Sequence, residues 1–522
     1  MYLTAIDFVV LAVYLAAVVG LGVWAGRGDR NTDDYFVGGR RMPGWLVGVS
    51  ILGTCVSSVT YVAYPGFAFA HDWEYLVQGL MLPVVLFAGG LHVATFYRRR
   101  VKTSVNEFLE ERFGPGVRTF SLTVLLISEV TRVATVMYLF SLVVHTITGL
   151  NIVLVIVVIG AITVVYAVLG GIRGVIWTDL IQTIVLLAGG VITVIAVGLQ
   201  VPGGLPAVIS EAAAAHKFTL FDFTPDLSRD TFYVLALSGL TNYFYFLAGN
   251  QNQVQRYQCA ASDHEAKKAA LLGSLLSVPT WALFLLVGTC LYVFYQHHPD
   301  PAVQAFILEG KPDKIFPHFI AARLPPGVSG LLLAGLFGAA MSTLDSSMNA
   351  SSTLFVTDVY RRFLRPGVAE ARAFAVARLL TLFWGCLGIV IAIAMIKVGT
   401  FLQFYFSIVS IVLGAVTGVF FLALVVKRSH ARGVIAGIGA GFIVTAWGSL
   451  TWAKVLPADS GLSFPWHPIM VGVLGCFAVI IVGYAASLVM KDGKGGGDEE
   501  GGTDQSHGPR AGANSGCGLR PD

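Results

Sequence analysis

Apolar runs of about 20 residues recur along almost the whole chain, and they constrain the fold more than any other feature. Each run is long enough to cross a hydrocarbon core of about 30 Å as an α-helix. Charged residues make up 12% of the chain, about half of their share in soluble domains. Because backbone groups in lipid must be hydrogen-bonded within the protein, the pattern predicts an all-α integral membrane protein.

Apolar windows between charged or Pro/Gly-rich breaks predict 13 transmembrane helices within one membrane transport domain, residues 1–490. The predicted spans are residues 5–26, 45–68, 74–97, 119–147, 152–170, 175–199, 232–254, 268–295, 328–357, 374–396, 400–426, 433–453 and 467–489. Residues 491–522 are rich in Gly, Asp and Glu and cannot bury enough apolar surface to fold. They are predicted to form a disordered cytoplasmic tail.

The basic residues of the loops fall mainly on one side of the predicted topology. The loops after helices 1, 3, 5, 7, 9 and 11 contain 22 Lys and Arg, whereas the opposite loops contain seven. Cytoplasmic loops carry such an excess. The bias predicts a multi-pass protein of the cell membrane with its N-terminus outside and its C-terminus in the cytoplasm.

Several function classes lack support in the sequence. There is no basic patch for nucleic acid, no phosphate loop and no group of residues at metal-ligand or Ser/His/Asp spacing. The six cysteines are scattered, several within apolar runs, and are interpreted as small apolar residues without disulfides. A membrane enzyme that uses Asp345 and Asp179 as an acid/base pair stays as one alternative.

The second predicted helix concentrates small hydroxyl residues between Ser50 and Thr60, flanked by Gly48 and Pro65. Such a helix unwinds easily, and its freed carbonyl groups can coordinate a cation where they line a cavity. Close helix packing through small residues is the alternative explanation. Thr54, Ser57 and Ser58 in this stretch are candidate substrate-binding residues.

The ninth predicted helix carries Ala339, Ser342, Thr343 and Ser346 on one face. Sodium is a hard cation that prefers oxygen ligands, as calcium and magnesium do. The two hydroxyls of Ser342 and Thr343, together with carbonyls of a broken neighbouring helix, would form a sodium site. Asp345 lies in the same apolar helix, and a carboxylate at that depth is a candidate for a second cation site or ion path; a packing role in a polar crevice is the alternative.

Two further helices contain charges within apolar runs. In the fourth helix, Arg132 is either paired with Glu129, three residues earlier, or free to bind a substrate carboxylate in a bidentate contact. In the sixth helix, Asp179, with Thr178 and Gln182, is either an N-terminal cap or a carboxylate that guides a departing cation.

The seventh helix combines aromatic and amide side chains, a combination that suits a hydroxylated or amphipathic ligand. Tyr243, Tyr245 and Phe246 are its candidate substrate contacts, and Asn242, Asn250, Gln251 and Gln255 lie beside them. Aromatic packing or a membrane-interface belt is the alternative.

Three separated segments make the chain resemble the sodium/solute symporter family, which includes sodium-coupled sugar, proline, vitamin and sialic acid transporters. They are residues 166–182 (YAVLGGIRGVIWTDLIQ), 250–256 (NQNQVQR) and 333–360 (LAGLFGAAMSTLDSSMNASSTLFVTDVY). The resemblance implies two inverted five-helix repeats, helices 2–6 and 7–11, with one helix before and two after. It also implies Na⁺ as the coupling ion and alternating access around a site near the midplane.

The resemblance also assigns candidate residues. It implies a sodium site formed by backbone carbonyls of Gly53, Val56 and Ala339 and by the hydroxyls of Ser342 and Thr343. Asp179 matches an acidic position on the inward sodium path, and Ser346 accompanies Asp345 at the second cation site.

Arg132 and Gln78 are similar to the positions by which sialic acid transporters of this family hold the substrate carboxylate. A sodium-coupled importer of a sialic-acid-like sugar acid is therefore the leading interpretation. Asp345 departs from those relatives, which tend to have a hydroxyl residue there. A neutral sugar or amino acid symporter, in which Arg132 is held by Glu129, is one alternative. A sensor is another, although 32 residues after the last helix are too few for a kinase.

The expected partners are a small solute, sodium and the lipid bilayer. The oligomeric state stays open, because Gly433, Gly437 and Gly441 suit either a dimer face or packing within the chain.

Overall fold

The computed structural model describes residues 3–396, 414–452, 455–456 and 461–490, and within these ranges the regular structure is helical apart from an isolated bridge between Met42 and Ala260. We number the α-helices in chain order. They are α1 Ala5–Gly26, α2 Thr32–Val37, α3 Gly44–Cys55, α4 Ser58–Ala70, α5 Leu76–Val85, α6 Leu91–Arg100, α7 Asn106–Phe113, α8 Pro115–Thr148, α9 Ile152–Gln200, α10 Gly204–Ala214, α11 Phe232–Ala248, α12 Gln251–Cys259, α13 Asp263–His297, α14 Pro301–Leu308, α15 Ile315–Arg323, α16 Val328–Phe355, α17 Glu370–Ile396, α18 Gly414–Leu424, α19 Ala431–Trp452 and α20 Met470–Val489.

Nine helical segments in the described part of the chain are long and apolar enough to cross a membrane, or 11 if two bent pairs each count as one span. The multi-pass, all-helical architecture is therefore as predicted. The count of 13 helices stays a prediction, since most of the expected span at residues 400–426 lies outside the described residues. The predicted tail at residues 491–522 also lies outside them.

The two spans predicted at residues 152–170 and 175–199 are the two helical parts of α9, which join directly at a sharp bend. At 49 residues, α9 is about 74 Å long, more than twice the thickness of a hydrocarbon core. The bend lies at Gly171, where φ is 50° and ψ is −157°. A Cβ there would lie 2.6 Å from Tyr35 Cδ2, so both the backbone angle and the close packing require glycine.

Two other spans are broken. The axes of α3 and α4 differ by 54°, and those of α11 and α12 by 47°. The segments predicted at residues 45–68 and 232–254 are therefore pairs of shorter helices.

Helix α16 lies at the centre of the molecule. Of its most apolar 18-residue window, 89% is buried, compared with 28% for α1. Its continuation, Val356–Leu364, is wound as a π-helix. A helix buried on all sides can present polar side chains without exposing them to lipid, so α16 is positioned to form a polar site.

Helices α19 and α20 pack closely through glycines. A Cβ at Gly437 would lie 2.5 Å from the Val479 carbonyl oxygen, and one at Gly433 would lie 2.0 Å from Ser487 Oγ. The small-residue stripe of Gly433, Gly437 and Gly441 is thus used within this chain. The described cysteines, Cys55, Cys259, Cys290, Cys386 and Cys476, are free as predicted, and Cys517 lies outside the described residues.

Candidate functional site

The break between α3 and α4 lies where the sequence predicts unwinding. Helix α3 ends at Cys55, and Val56 has extended backbone angles (φ −106°, ψ 115°). Ser57 is extended as well and starts α4 in a reciprocal capping box with Thr60. Since the last four carbonyls of a helix have no intrahelical partner, the end of α3 offers backbone oxygen atoms at this point.

Helix α16 faces this break with hydroxyl groups. Ser342 Oγ lies 3.2 Å from the Gly53 carbonyl oxygen and 3.4 Å from that of Ala339. Thr343 Oγ1 lies 3.4 Å from the same Ala339 oxygen. All three α16 residues are about 1% exposed. Oxygen atoms from the two elements therefore converge in a dry part of the molecule.

A cavity of about 10 Å³ lies at this convergence, roughly the volume that holds one water-sized particle. Gly53, Val56, Ala339 and Ser342 line it, together with further polar residues Gln182, Thr183 and Thr280. The Thr183 hydroxyl and both polar atoms of the Gln182 amide are buried without a hydrogen-bond partner. The size and the surplus of oxygen atoms fit a small hard cation.

A buried ion pair lies directly beside the cavity, and sequence reasoning did not select its cation. Arg256 on α12 is 0% exposed and donates to Asp179 Oδ2 at 3.0 Å. It also donates to Ser50 Oγ at 2.8 Å, to Ser346 Oγ at 2.8 Å and to the Asn252 carbonyl oxygen at 3.1 Å. Arg256 therefore links four helices. It lies on α12 of one broken span and bonds to α3 of the other, to α9 and to α16.

Asp179 is not an N-terminal cap, contrary to one of the two interpretations of the sequence. It lies in the second helical part of α9, eight residues or about two turns after the bend at Gly171, and is 0% exposed. Its Oδ2 accepts from Arg256 and from Ser50, whereas Oδ1 has no hydrogen-bond partner. The carboxylate faces the Arg256 network in this conformation.

Asp345 is a second buried carboxylate, and it lies in the same network. Tyr166 Oη donates to Asp345 Oδ2 at 2.6 Å, and Ser346 Oγ lies 3.2 Å from Oδ1. No ion-pair partner of Asp345 occurs among the residues that the structure describes. Asp345 is 0% exposed, so its carboxylate lies in a closed polar network with Tyr166 and Ser346.

Arg132 does not pair with Glu129. Glu129 Oε1 instead accepts from Asn252 Nδ2 at 2.8 Å, and within the described part of the chain the Arg132 guanidinium has neither a hydrogen bond nor a salt bridge. Arg132 is close enough to Tyr245 and Cys55 to interact with both side chains electrostatically. A partly exposed, unpaired guanidinium on a membrane helix is available for an anionic ligand.

The other predicted substrate contacts lie along the same spans. Gln78 Nε2 donates to Ser238 Oγ at 3.1 Å, and the Tyr243 ring lies 5.7 Å from that of Trp281. Phe246 is partly buried in the apolar core around α11. Thr54 Oγ1 donates to the Ser50 carbonyl oxygen at 2.9 Å, which occupies its hydroxyl hydrogen, and Ser58 is buried at the start of α4.

The model of the sodium:solute symporter family matches residues 35–441. The sodium/sialic acid symporter SiaT of Proteus mirabilis is 31% identical over 485 residues, which are 92% of this chain and 94% of that protein. The sodium/sialic acid symporter NanT of Aliivibrio fischeri is 29% identical over 490 residues, with 93% and 94% covered.

A solved structure is also similar. It is a Na⁺-coupled sialic acid symporter in a substrate-bound outward-open state, 30% identical to this chain, with a TM-score of 0.85 and coverage of 93% of this chain and 98% of that one. The helical arrangement described above is thus that of a membrane transporter.

Proposed function

This chain belongs to the sodium:solute symporter family, and we propose that it uses the sodium gradient to import a carboxylate-bearing sugar of the sialic acid type. Na⁺ is the coupling ion, as in the family as a whole. The observation that carries the proposal is the meeting of the Ser342 hydroxyl and the Gly53 carbonyl across a helix break, beside a cavity of ionic size.

Sodium would bind in that cavity. Its ligands would be the carbonyl oxygens of Gly53, Val56 and Ala339 and the hydroxyls of Ser342 and Thr343. Four of these five residues line the cavity. The fifth, Thr343, is next to it, because its hydroxyl lies 3.4 Å from the Ala339 carbonyl oxygen. Because the ligands come from α3 and α16, a bound cation stabilises the arrangement in which these helices are close. Separation of the two removes ligands and releases the ion, which is the coupling required for alternating access.

The substrate carboxylate would bind Arg132. The unpaired guanidinium supports this assignment, and so do the sialic acid symporters among the relatives. Gln78 would contribute an amide, Thr54, Ser57 and Ser58 would face the sugar from the helix break, and Tyr243, Tyr245 and Phe246 would contact its apolar parts. The alternative of a neutral substrate depended on a Glu129 pair for Arg132, and the hydrogen bond of Glu129 to Asn252 removes that reason.

The topology that we propose keeps 13 helices as two inverted five-helix repeats with one helix before and two after. The membrane domain covers residues 1–490, with the N-terminus outside and the C-terminal segment in the cytoplasm. Asp345, Ser346 and Asp179 would form a second cation site or the inward ion path. Arg256, which holds Asp179 and Ser346 together, would position that site.

Uptake by purified protein in liposomes tests the proposal. An inward sodium gradient is expected to drive accumulation of labelled sialic acid and not of a neutral hexose. The double variant Ser342→Ala, Thr343→Ala is expected to lose sodium-driven uptake. A matched control is Ser351→Ala, Thr445→Ala, since both hydroxyls are buried and donate to helix carbonyls away from the cavity.

Arg132→Ala separates the substrate from the ion. We expect it to abolish sialic acid uptake while sodium still raises the melting temperature of the protein. Uptake of hexose instead of the acid would refute the carboxylate assignment, and uptake by the Ser342, Thr343 double variant at the control level would refute the sodium site.

A further inference from the structure

A large lateral cleft lies away from the ion and substrate residues. It has a volume of about 890 Å³ and is formed by α5, α6, α7, α11, α18 and α20. Apolar residues at its margins are exposed on the outer surface of the membrane domain, with Val84 at 50%, Val425 at 54% and Phe477 at 38%. The cleft therefore opens towards the lipid.

One end of the cleft is basic. Arg100, Arg112 and Lys427 line it there, and no acidic residue is among the described lining residues. Arg100 makes a surface pair with Glu111 at 3.5 Å, with both side chains more than half exposed, a geometry that contributes little. Lys427 has no ion pair within the described part of the chain. Arg112 is held by the Val426 carbonyl and by Ser429, and its Nε is buried without a partner.

The body of the cleft is apolar and long. Along α5 and α6 it extends from Val84 to Arg100, about 24 Å at a helical rise, whereas the hydrocarbon of one leaflet is about 15 Å deep. A π-helical turn, Leu86–Gly90, interrupts the wall, and a Cβ added at Gly89 would meet no atom within 4 Å. The exposed His92 lines the same wall, two turns below the basic end. An imidazole that faces lipid at this depth costs free energy unless a polar group of a ligand or lipid hydrogen-bonds to it.

We propose that this cleft binds an anionic phospholipid. The phosphate lies between Arg100 and Lys427 with Arg112 behind it, one acyl chain fills the apolar body past Gly89, and the glycerol ester region approaches His92. Charge complementarity selects this occupant, because Arg100, Arg112 and Lys427 line one end of the cleft and none of its described lining residues is acidic. A second copy of the chain would have to bring acidic groups to the same place, and a sterol or a neutral lipid would bring no net negative charge to the basic end.

Lipid binding to the purified full-length protein tests the proposal without sodium or substrate, so its result is independent of the transport assignment. The probes are dioleoyl phosphatidylglycerol and dioleoyl phosphatidylcholine, which share acyl chains and differ in headgroup charge. Binding is measured as the concentration-dependent rise in melting temperature and as lipid retained in native mass spectra.

The charge variant is Arg100→Gln, Lys427→Gln, and its matched control is Lys268→Gln, Arg365→Gln, which removes two exposed basic residues outside the cleft. Each cation near a membrane surface contributes about fivefold to sixfold in affinity, so the charge variant, which removes two, is expected to bind phosphatidylglycerol about 30-fold more weakly. The control is expected to bind it like the natural protein.

Gly89→Phe and Ala88→Phe fill the apolar body from two neighbouring positions, so that one remains usable if the other fails to fold. Either is expected to lose lipid retention while keeping the melting temperature in detergent. An unchanged preference for phosphatidylglycerol in the charge variant would overturn the proposal. A change from dimer to monomer on filling the cleft, with lipid retention unaffected, would also overturn it and assign the cleft to a second copy.

Discussion

The Arg256–Asp179 pair gives the sharpest test of how the centre of the molecule is held together. The change is Arg256→Met, which keeps the volume of the side chain approximately and removes its charge. The variant loses the donors to Asp179, Ser50, Ser346 and the Asn252 carbonyl, and Asp179 keeps Ser50 as its one hydrogen-bond donor.

Removal of one member of a buried ion pair costs about 3–5 kcal/mol, because the other charge stays buried without compensation. We expect a loss of this size in the free energy of unfolding for Arg256→Met and for Asp179→Asn. The double variant removes both charges, so its cost is expected to be at least about 2 kcal/mol smaller than the sum of the single costs.

Unfolding is measured by titrating the detergent-solubilised protein with SDS and following tryptophan fluorescence. Ser50→Ala provides a milder step, since it removes one hydrogen bond to each partner and is expected to cost about 1–3 kcal/mol. The control is Glu309→Gln, which breaks a half-exposed pair with Lys311 and is expected to leave unfolding unchanged. Strictly additive costs for Arg256→Met and Asp179→Asn would refute the reasoning.

Three further predictions follow from other parts of the molecule. Burial, together with the nearby Asp72 and Asp222 carboxylates, raises the pKa of Glu74 to about 7; since the unfolded chain then binds fewer protons, stability is expected to fall as the pH rises from about 4.5 to 7, and Glu74→Gln should flatten that part of a melting-temperature profile. Gly171→Ala places a Cβ against Tyr35 at a positive φ and is expected to cost more than 1 kcal/mol in the same SDS titration, whereas Gly116→Ala, with open space around it, should cost far less. Asp345→Asn is expected to lower the Hill coefficient of sodium in uptake assays if the carboxylate forms a second cation site, and an unchanged coefficient would contradict that assignment.

Local signals in the sequence predicted most of the framework. The apolar run at residues 5–26 coincides with α1. It contains no Pro, and its one charged residue, Asp7, lies in the first turn, so a single spanning helix satisfies its backbone groups in lipid. The hydroxyl-rich stretch after Ser50 predicted a break, and α3 ends at Cys55. The shared face of Ala339, Ser342 and Thr343 likewise followed from helical spacing, and these residues do face the break.

Interpretations that used the nearest charge or cap as a partner were wrong. Glu129 lies one turn from Arg132, yet it bonds to Asn252, 123 residues away in the chain. Asp179 follows a Gly-Gly turn and looked like a cap, yet its partner Arg256 is 77 residues away. Long-range pairing of this kind leaves no periodicity in the sequence. The signal available for Arg256 was a guanidinium in a segment of amides next to a helix break, where a buried charge requires a counter-ion.

The position of Arg256 relates the two helix breaks to each other. It lies on α12, after the second break, and contacts Ser50 on the helix that ends at the first. Through Ser346 it also reaches the helix that carries the Ser342 hydroxyl. Since Arg256 pairs with Asp179, Asp345 is the buried carboxylate of this cluster that has no ion pair in the described part of the chain. In the proposed mechanism, a cation bound beside Ser342 would add positive charge to this cluster, and the Arg256 guanidinium would hold Asp179 and Ser346 in place during ion binding and release.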